Sequence, residues 1–177
     1  MIQKDQLRPS LPTTDLPRIN STPGEVKGMT KEFLHPGQMC VSSEPCTVTT
    51  IVGSCVAVCL WDPILRNGGV IHYILGQWDG TGQPSCRYGD VAIDMLVNKM
   101  VELGSCRNKL QAHVFGGACM FESLREHAHA LSTMNVEIAL TMLAKYQIKV
   151  LTKQVGGRKG RKVVYQTSDG SFTVREI

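Results

Sequence analysis

No apolar run in these 177 residues is longer than the six from Val56 to Trp61, and a membrane-crossing helix needs roughly 18. A transmembrane helix is therefore excluded. Charge is sparse as well: 19% of residues are charged, and a net +4 arises from 19 basic against 15 acidic side chains. Four of the basic residues, Arg158, Lys159, Arg161 and Lys162, sit in one short piece, and the chain holds only four Phe, two Trp and four Tyr. Nucleic-acid domains spread basic charge along a face and interleave aromatics, so nothing here requires a polyanionic partner. No CxxC pair is present, which removes the minimum spacing of a zinc ribbon or a thioredoxin-like redox site. The opening MIQKDQLRPSLP lacks the apolar core of a secretory signal, so the chain is expected to be cytoplasmic. Seven cysteines, at 40, 46, 55, 59, 86, 106 and 119, are an odd number in such a compartment, and disulfides are not expected. At least one thiol is then available for use as a thiol.

What is present reads as one domain behind an arm. Residues 1–30 hold four of the eight prolines, Pro9, Pro12, Pro17 and Pro23, with little apolar periodicity; this predicts a disordered, proline-rich N-terminal arm. Residues 31–177 carry the signals of a folded domain and show no internal repeat. At this length and with 42% hydrophobic residues a single core can form. Thr47 to Val52 and Val56 to Trp61 read as buried strands joined by Gly53-Ser54-Cys55. Asn67-Gly68-Gly69 predicts the turn of a β-hairpin that returns through Val70 to Leu75. Ala92, Ile93, Leu96, Met100 and Leu103 recur every three or four residues, which predicts an amphipathic helix between Asp90 and Gly104 with the glycine at its C-terminal cap. Leu110 to Phe115 reads as a strand, and Val136 to Tyr146 as a second helix capped by Ser132, Thr133 or Asn135. Short strands follow at 148–154, 162–167 and 171–175. The mixture predicts an α/β (α+β) sandwich with a mixed sheet and two or three helices.

The Gly-Ser-Cys bend is the most informative feature. A sharp bend presents a side chain and frees nearby backbone N–H groups, and an acyl-transfer site needs both a nucleophile and donors for the oxyanion. Cys55 is the candidate nucleophile, with the backbone at Ser54 and Cys55 as candidate oxyanion donors. A free thiol is only a few per cent ionised at neutral pH and needs a base; His72, on the returning strand of the hairpin, is the candidate. Thr49, counted as lying on the same side of its strand as Cys55, is a candidate to hold one imidazole nitrogen through its hydroxyl. Register is open at this level. Cys59 lies on the same face as Cys55 and is the rival nucleophile, and Asp62, the carboxylate of the hairpin, is the rival orienting group. Elsewhere, Glu126-His127-Ala128-His129 has the residue types of a metal fragment but no third ligand at a recognisable spacing. Gly156 to Arg161 reads as a solvated basic hairpin more readily than as an anion cradle. Gly116-Gly117-Ala118 lacks dinucleotide-site spacing and reads as a place of close packing.

Taken together, Thr49-Thr50-Ile51-Val52-Gly53-Ser54-Cys55-Val56-Ala57-Val58-Cys59-Leu60-Trp61-Asp62-Pro63 and Gly68-Gly69-Val70-Ile71-His72 resemble the catalytic signature of the chemoreceptor glutamine deamidases called CheD. The similarity continues through Tyr88 to Ile93, Val114 to Ala118, Asn135, Gly156-Gly157 and Gly160-Arg161. The resemblance implies Cys55 as nucleophile, His72 as general base and acid, and Thr49 as the residue that orients it. It implies a fold similar to that of a glutamine-deamidating bacterial toxin, no metal or organic cofactor, and action on glutamine side chains of methyl-accepting chemotaxis receptors. A methyl-esterase activity on glutamate extends the same chemistry. Some members also bind a CheC-type phosphatase, so a regulatory module with secondary or absent catalysis is the alternative. A monomer is expected, with no direct membrane insertion.

Overall fold

The computed structural model describes residues 29–119 and 125–177. Residues 1–28 of the expected arm lie outside the described residues, and residues 29–30 already lead into the first strand. The order is β1 (Thr30–Phe33), β2 (Gln38–Ser42), β3 (Cys46–Val52), β4 (Val56–Asp62), β5 (Asn67–Tyr73), α1 (Gly89–Glu102), a 3-10 turn (Arg107–Lys109), β6 (Gln111–Gly116), α2 (Arg125–Lys145), β7 (Lys149–Val155), β8 (Arg161–Gln166) and β9 (Phe172–Glu176). Two sheets form where one was expected: a four-stranded sheet β1-β3-β8-β9 and a five-stranded sheet β2-β5-β4-β6-β7. Both are mixed, because β1 runs parallel to β3 and β6 parallel to β7.

Three layers result, and the burial patterns explain why. In β3 the inward positions Cys46, Val48, Thr50 and Val52 are buried while Thr47, Thr49 and Ile51 are not, the alternation of a sheet with one covered face. In β4 and β5 nearly every residue is buried, because both faces of the central sheet are covered. On one face Val56, Val58, Leu60, Ile71 and Tyr73 pack against Ala92, Ile93, Leu96, Val97 and Met100 of α1 and Ala139 and Leu143 of α2. On the other, Ala57, Cys59, Val70 and Phe115 meet Val48, Val52, Val163 and Tyr165 of the second sheet. The α/β sandwich expected from the sequence is thus an α/β/β stack.

Helix α1 ends as predicted. Gly104 and Ser105 donate to the carbonyls of Val101 and Met100, the paired bonds of a Schellman cap. Helix α2 differs: it begins at Arg125, so Ser132, Thr133 and Asn135 lie inside it and none is its N-cap. The hairpin turn also moves. It falls at residues 63–66, where the Asp62 carboxylate accepts the N–H groups of Ile64 and Leu65 at 2.8 and 3.1 Å and Arg66 adopts φ +59°. Gly68 lies in β5 instead, and a Cβ there would sit 2.5 Å from the Thr167 carbonyl oxygen. That glycine serves close approach between layers, not the turn. Strands β1 and β2 went unpredicted because they are short sheet edges: all four residues of β1 are exposed, so no apolar period marks them.

Candidate active site

The register of the central sheet places His72 opposite the strand that follows Cys55. Ala57 of β4 lies directly opposite His72 of β5. Continuing the alternation of β4 one residue past its end would put Cys55 on the face of Cys59, each two residues from Ala57 and diagonal to His72, a relation in which Cβ atoms typically lie ~7–8 Å or somewhat less from the opposing residue. Pairing alone does not separate the two thiols. Their surroundings do. Cys59 is wholly buried inside the strand, and burial alone pushes its thiol pKa far up. Cys55 is half-buried, just outside the strand. Burial raises its pKa too, but its own backbone N–H and the Ser54 hydroxyl pull in the opposite direction.

The bend carrying Cys55 is pinned carbonyl by carbonyl. Ala118 donates to the Gly53 oxygen at 2.7 Å and Gly117 to the Cys55 oxygen at 2.8 Å, and the Asn135 amide donates to the Ser54 oxygen at 2.9 Å. The segment that clamps it must come very close: Gly116 has φ +115°, and a Cβ there would meet the Cys55 carbonyl oxygen at 2.1 Å, so only glycine fits. In a trans peptide the N–H points opposite to the preceding C=O. Fixing the Gly53 and Ser54 carbonyls therefore turns the Ser54 and Cys55 N–H groups away from the clamp, and no carbonyl among the described residues takes them. Asn135 has a second role. The same amide nitrogen donates to the Ile74 oxygen at 2.8 Å, tying the bend to the end of the strand that holds His72.

His72 is 1% exposed, and its Nδ1 lies 2.8 Å from the hydroxyl of Thr50. That hydroxyl spends its one proton on the Leu34 carbonyl, also at 2.8 Å, so towards the ring it acts as acceptor. Nδ1 therefore carries the hydrogen and Nε2 the lone pair. Nε2 has no partner among the described residues. Burial first, with His35 adding to it against the Leu34 carbonyl, pushes the imidazole pKa down to about 4. At neutral pH the ring is uncharged, with Nε2 buried and unpaired among the described residues.

The expected orienting residue needs correction: Thr50 holds His72, and Thr49 does not. Thr49 pairs with Phe33 and Val164 and faces the outer side of the four-stranded sheet. Counting six residues back from Cys55 assumes one unbroken extended strand, but β3 stops at Val52 and the bend resets the alternation. The inward parity of Thr50 between Val48 and Val52 was the available signal. Asp62 is likewise removed as an orienting group, since its carboxylate caps the hairpin turn and it pairs with Asn67, five residues from His72.

The other motifs are structural in their described contacts. Gly156 donates to the Gly116 oxygen and Gly157 accepts from Cys119, while Arg161 bonds the Gly156 carbonyl at 2.8 Å and Lys159 pairs with Glu176 at 3.2 Å. That turn buttresses the clamp. A cavity of about 200 Å³ lies beside it, lined by Gly117, Ser132, Val136 and Gly156 among others; its lining includes neither Cys55 nor His72. His129 borders this cavity, and the side chains of Glu126, His127 and Ala128 lie outside the described residues.

Residues 76–176 match the family model described as CheD chemotactic sensory transduction. The chain belongs to the CheD family. It is 41% identical to the probable chemoreceptor glutamine deamidase CheD 1 of Anaeromyxobacter dehalogenans over 94% of this chain and 95% of that protein. It is 40% identical to the probable chemoreceptor glutamine deamidase CheD of Trichlorobacter lovleyi, over 79% of this chain and 86% of that protein. The chemoreceptor glutamine deamidase CheD of Thermotoga maritima is 32% identical over 83% of this chain and 92% of its own length. The family-model match begins after His72, but a span of 94% of the chain necessarily takes in residues 49 to 72. Among the described residues no helix is long and apolar enough to cross a membrane.

Proposed function

We propose that this chain is a cysteine-dependent amidohydrolase that converts glutamine side chains to glutamate on methyl-accepting chemotaxis receptors, acting from the cytoplasm. The observation that carries the reading is the buried His72 ring, whose Nδ1–H is held by Thr50 while its Nε2 has no partner among the described residues, on the strand paired with the one that follows the half-buried Cys55. Membership of the CheD family supports the substrate.

With burial raising the thiol pKa and lowering that of the imidazole, the resting pair is neutral thiol and neutral ring. The proton moves from sulfur to Nε2 as the sulfur attacks the carboxamide carbon. The oxyanion then faces the Ser54 and Cys55 N–H groups, which the clamp has pre-aimed at no conformational cost during the reaction. The imidazolium gives its proton to the departing ammonia, leaving a thioester. Nε2 next takes a proton from water, hydroxide adds to the thioester, and collapse releases glutamate and restores the thiol. Each turnover adds one negative charge to a receptor helix, which alters the packing of a bundle whose charges lie close together. The same steps hydrolyse a glutamate methyl ester, with methanol leaving in place of ammonia.

Incubating the protein with a receptor signalling fragment and weighing the fragment tests this. Deamidation exchanges NH2 for OH and adds about one dalton per site. An unchanged mass, with a CheC-type phosphatase still bound, would replace the enzyme with a regulatory module.

A further inference from the structure

A second group of side chains able to ligate a metal lies at the open edge of the sandwich. β1 and β2 are edge strands of different sheets. Glu32 is on β1, Cys40 on β2, and Cys46 opens β3. Thr30 pairs with Cys46 and Glu32 with Val48, so Glu32 and Cys46 share the inward face of one sheet, and Cys40 faces them from the other. One ligand atom from each lies within 4.8 Å of the other two. Both thiols are buried, Cys40 at 8% and Cys46 at 2% exposure, and Glu32 is exposed. All are free of disulfide. Among the described residues no basic side chain pairs with the Glu32 carboxylate. Two thiols and a carboxylate thus converge from three strands, with no basic side chain paired to the carboxylate among the described residues, and catalysis as proposed uses none of the three.

We propose that Glu32, Cys40 and Cys46 bind one zinc ion, which clips the edges of the two sheets together. A tetrahedral zinc site with Zn–S of about 2.3 Å and Zn–O of about 2.0–2.2 Å has ligand atoms ~3.3–3.8 Å apart, so the three donors need to close by at most about an ångström. Two thiolates and one carboxylate select a borderline-soft ion over magnesium or calcium. Binding forms two Zn–S bonds and one Zn–O bond and releases the two thiol protons to solvent, with no change of oxidation state. The fourth position faces the exposed Glu32 side, where water reaches it. Since the site joins edge strands of the two sheets, the ion would act on stability.

The test uses fully reduced full-length protein carrying Cys55→Ala, so that the thiol at the bend cannot supply the signal, titrated with Cd²⁺ as a spectroscopic stand-in. One equivalent is expected to raise a sulfur-to-metal charge-transfer band. That band should vanish in Cys40→Ser and in Cys46→Ser and persist in Cys86→Ser and Cys106→Ser. Glu32→Gln, at an exposed position, should weaken binding at least about tenfold. Zinc should raise the melting temperature of the parent and not that of Cys46→Ser, and excess Mg²⁺ should not compete. Absence of a band, a band that survives Cys40→Ser or Cys46→Ser, or affinity unchanged by Glu32→Gln would each overturn the proposal. So would a Cys40–Cys46 disulfide forming in preference to metal binding when the reduced protein meets zinc in air.

Discussion

Cys55 and Cys59 stand at equal sequence distance from Ala57, the residue opposite His72, yet they occupy different chemical worlds. Around Cys59 the chain is regular: both backbone neighbours are in the ladder, the side chain is sealed between two sheets, and nothing lowers the cost of a thiolate. Around Cys55 the ladder has just ended, three successive carbonyls are held by donors from 117, 118 and 135, and the thiol has polar neighbours of its own. A regular strand uses up its N–H groups, so a nucleophile inside one has no donors left for an oxyanion. At the irregular end of the same strand no carbonyl among the described residues takes the Ser54 and Cys55 N–H groups.

That contrast can be broken most sharply by deleting each sulfur. Cys55→Ala is expected to lower kcat for receptor deamidation by at least about 10³-fold, whereas Cys59→Ala should keep activity within about twofold and cost about 1 kcal/mol of stability through the small void it leaves. Rates from the mass assay, with urea unfolding alongside, decide it; activity that survives loss of Cys55 and fails on loss of Cys59 would reverse the assignment.

The histidine between the two thiols gives a second handle. Its pKa is about 4 folded against 6.5 for the ordinary side chain, so below pH 6.5 the unfolded chain binds a proton that the folded chain does not. Stability contributed by neutral His72 is therefore fully present above pH 6.5, is lost as pH falls towards 4, and changes no further below that. The loss amounts to about 3 kcal/mol. Unfolding free energies across this range, compared between wild type and His72→Gln, should differ in slope only in that window. The acid limb of kcat/KM should likewise fall near the depressed value and not near 6.5.

Smaller, but more discriminating, is the pair of neighbouring threonines. Thr50→Val removes the acceptor of Nδ1–H and should reduce kcat/KM roughly 10- to 100-fold while moving the acid limb of the pH profile. Thr49→Val, on the outer face, should stay within about twofold. Equal effects, or the reverse order, would return the orienting role to Thr49.

Much of this was legible without coordinates. The alternation in residues 47–52, the apolar run 56–61 and the three- and four-residue spacing from Ala92 to Met100 are local patterns, and each gave its element within a residue or two. Cys55 stood out for an equally local reason, a thiol behind Gly-Ser between two buried strands. Asn135 was visible only as a capping candidate, because reaching Ser54 and Ile74 across 81 and 61 residues leaves no trace in its own neighbourhood. Thr50 was passed over because parity was counted through a bend.

By itself the sequence determined the order of strands and helices, the thiol poised at a bend and a histidine on the return strand, since backbone preference and side-chain period act over a few residues. Tertiary structure alone decided which threonine meets the imidazole, which nitrogen of that ring keeps its lone pair, how Gly116 and Asn135 hold the bend at Cys55, and that Glu32 joins Cys40 and Cys46. These depend on pairing between distant segments, and a shift of one residue in any ladder would turn the same side chains to the opposite face.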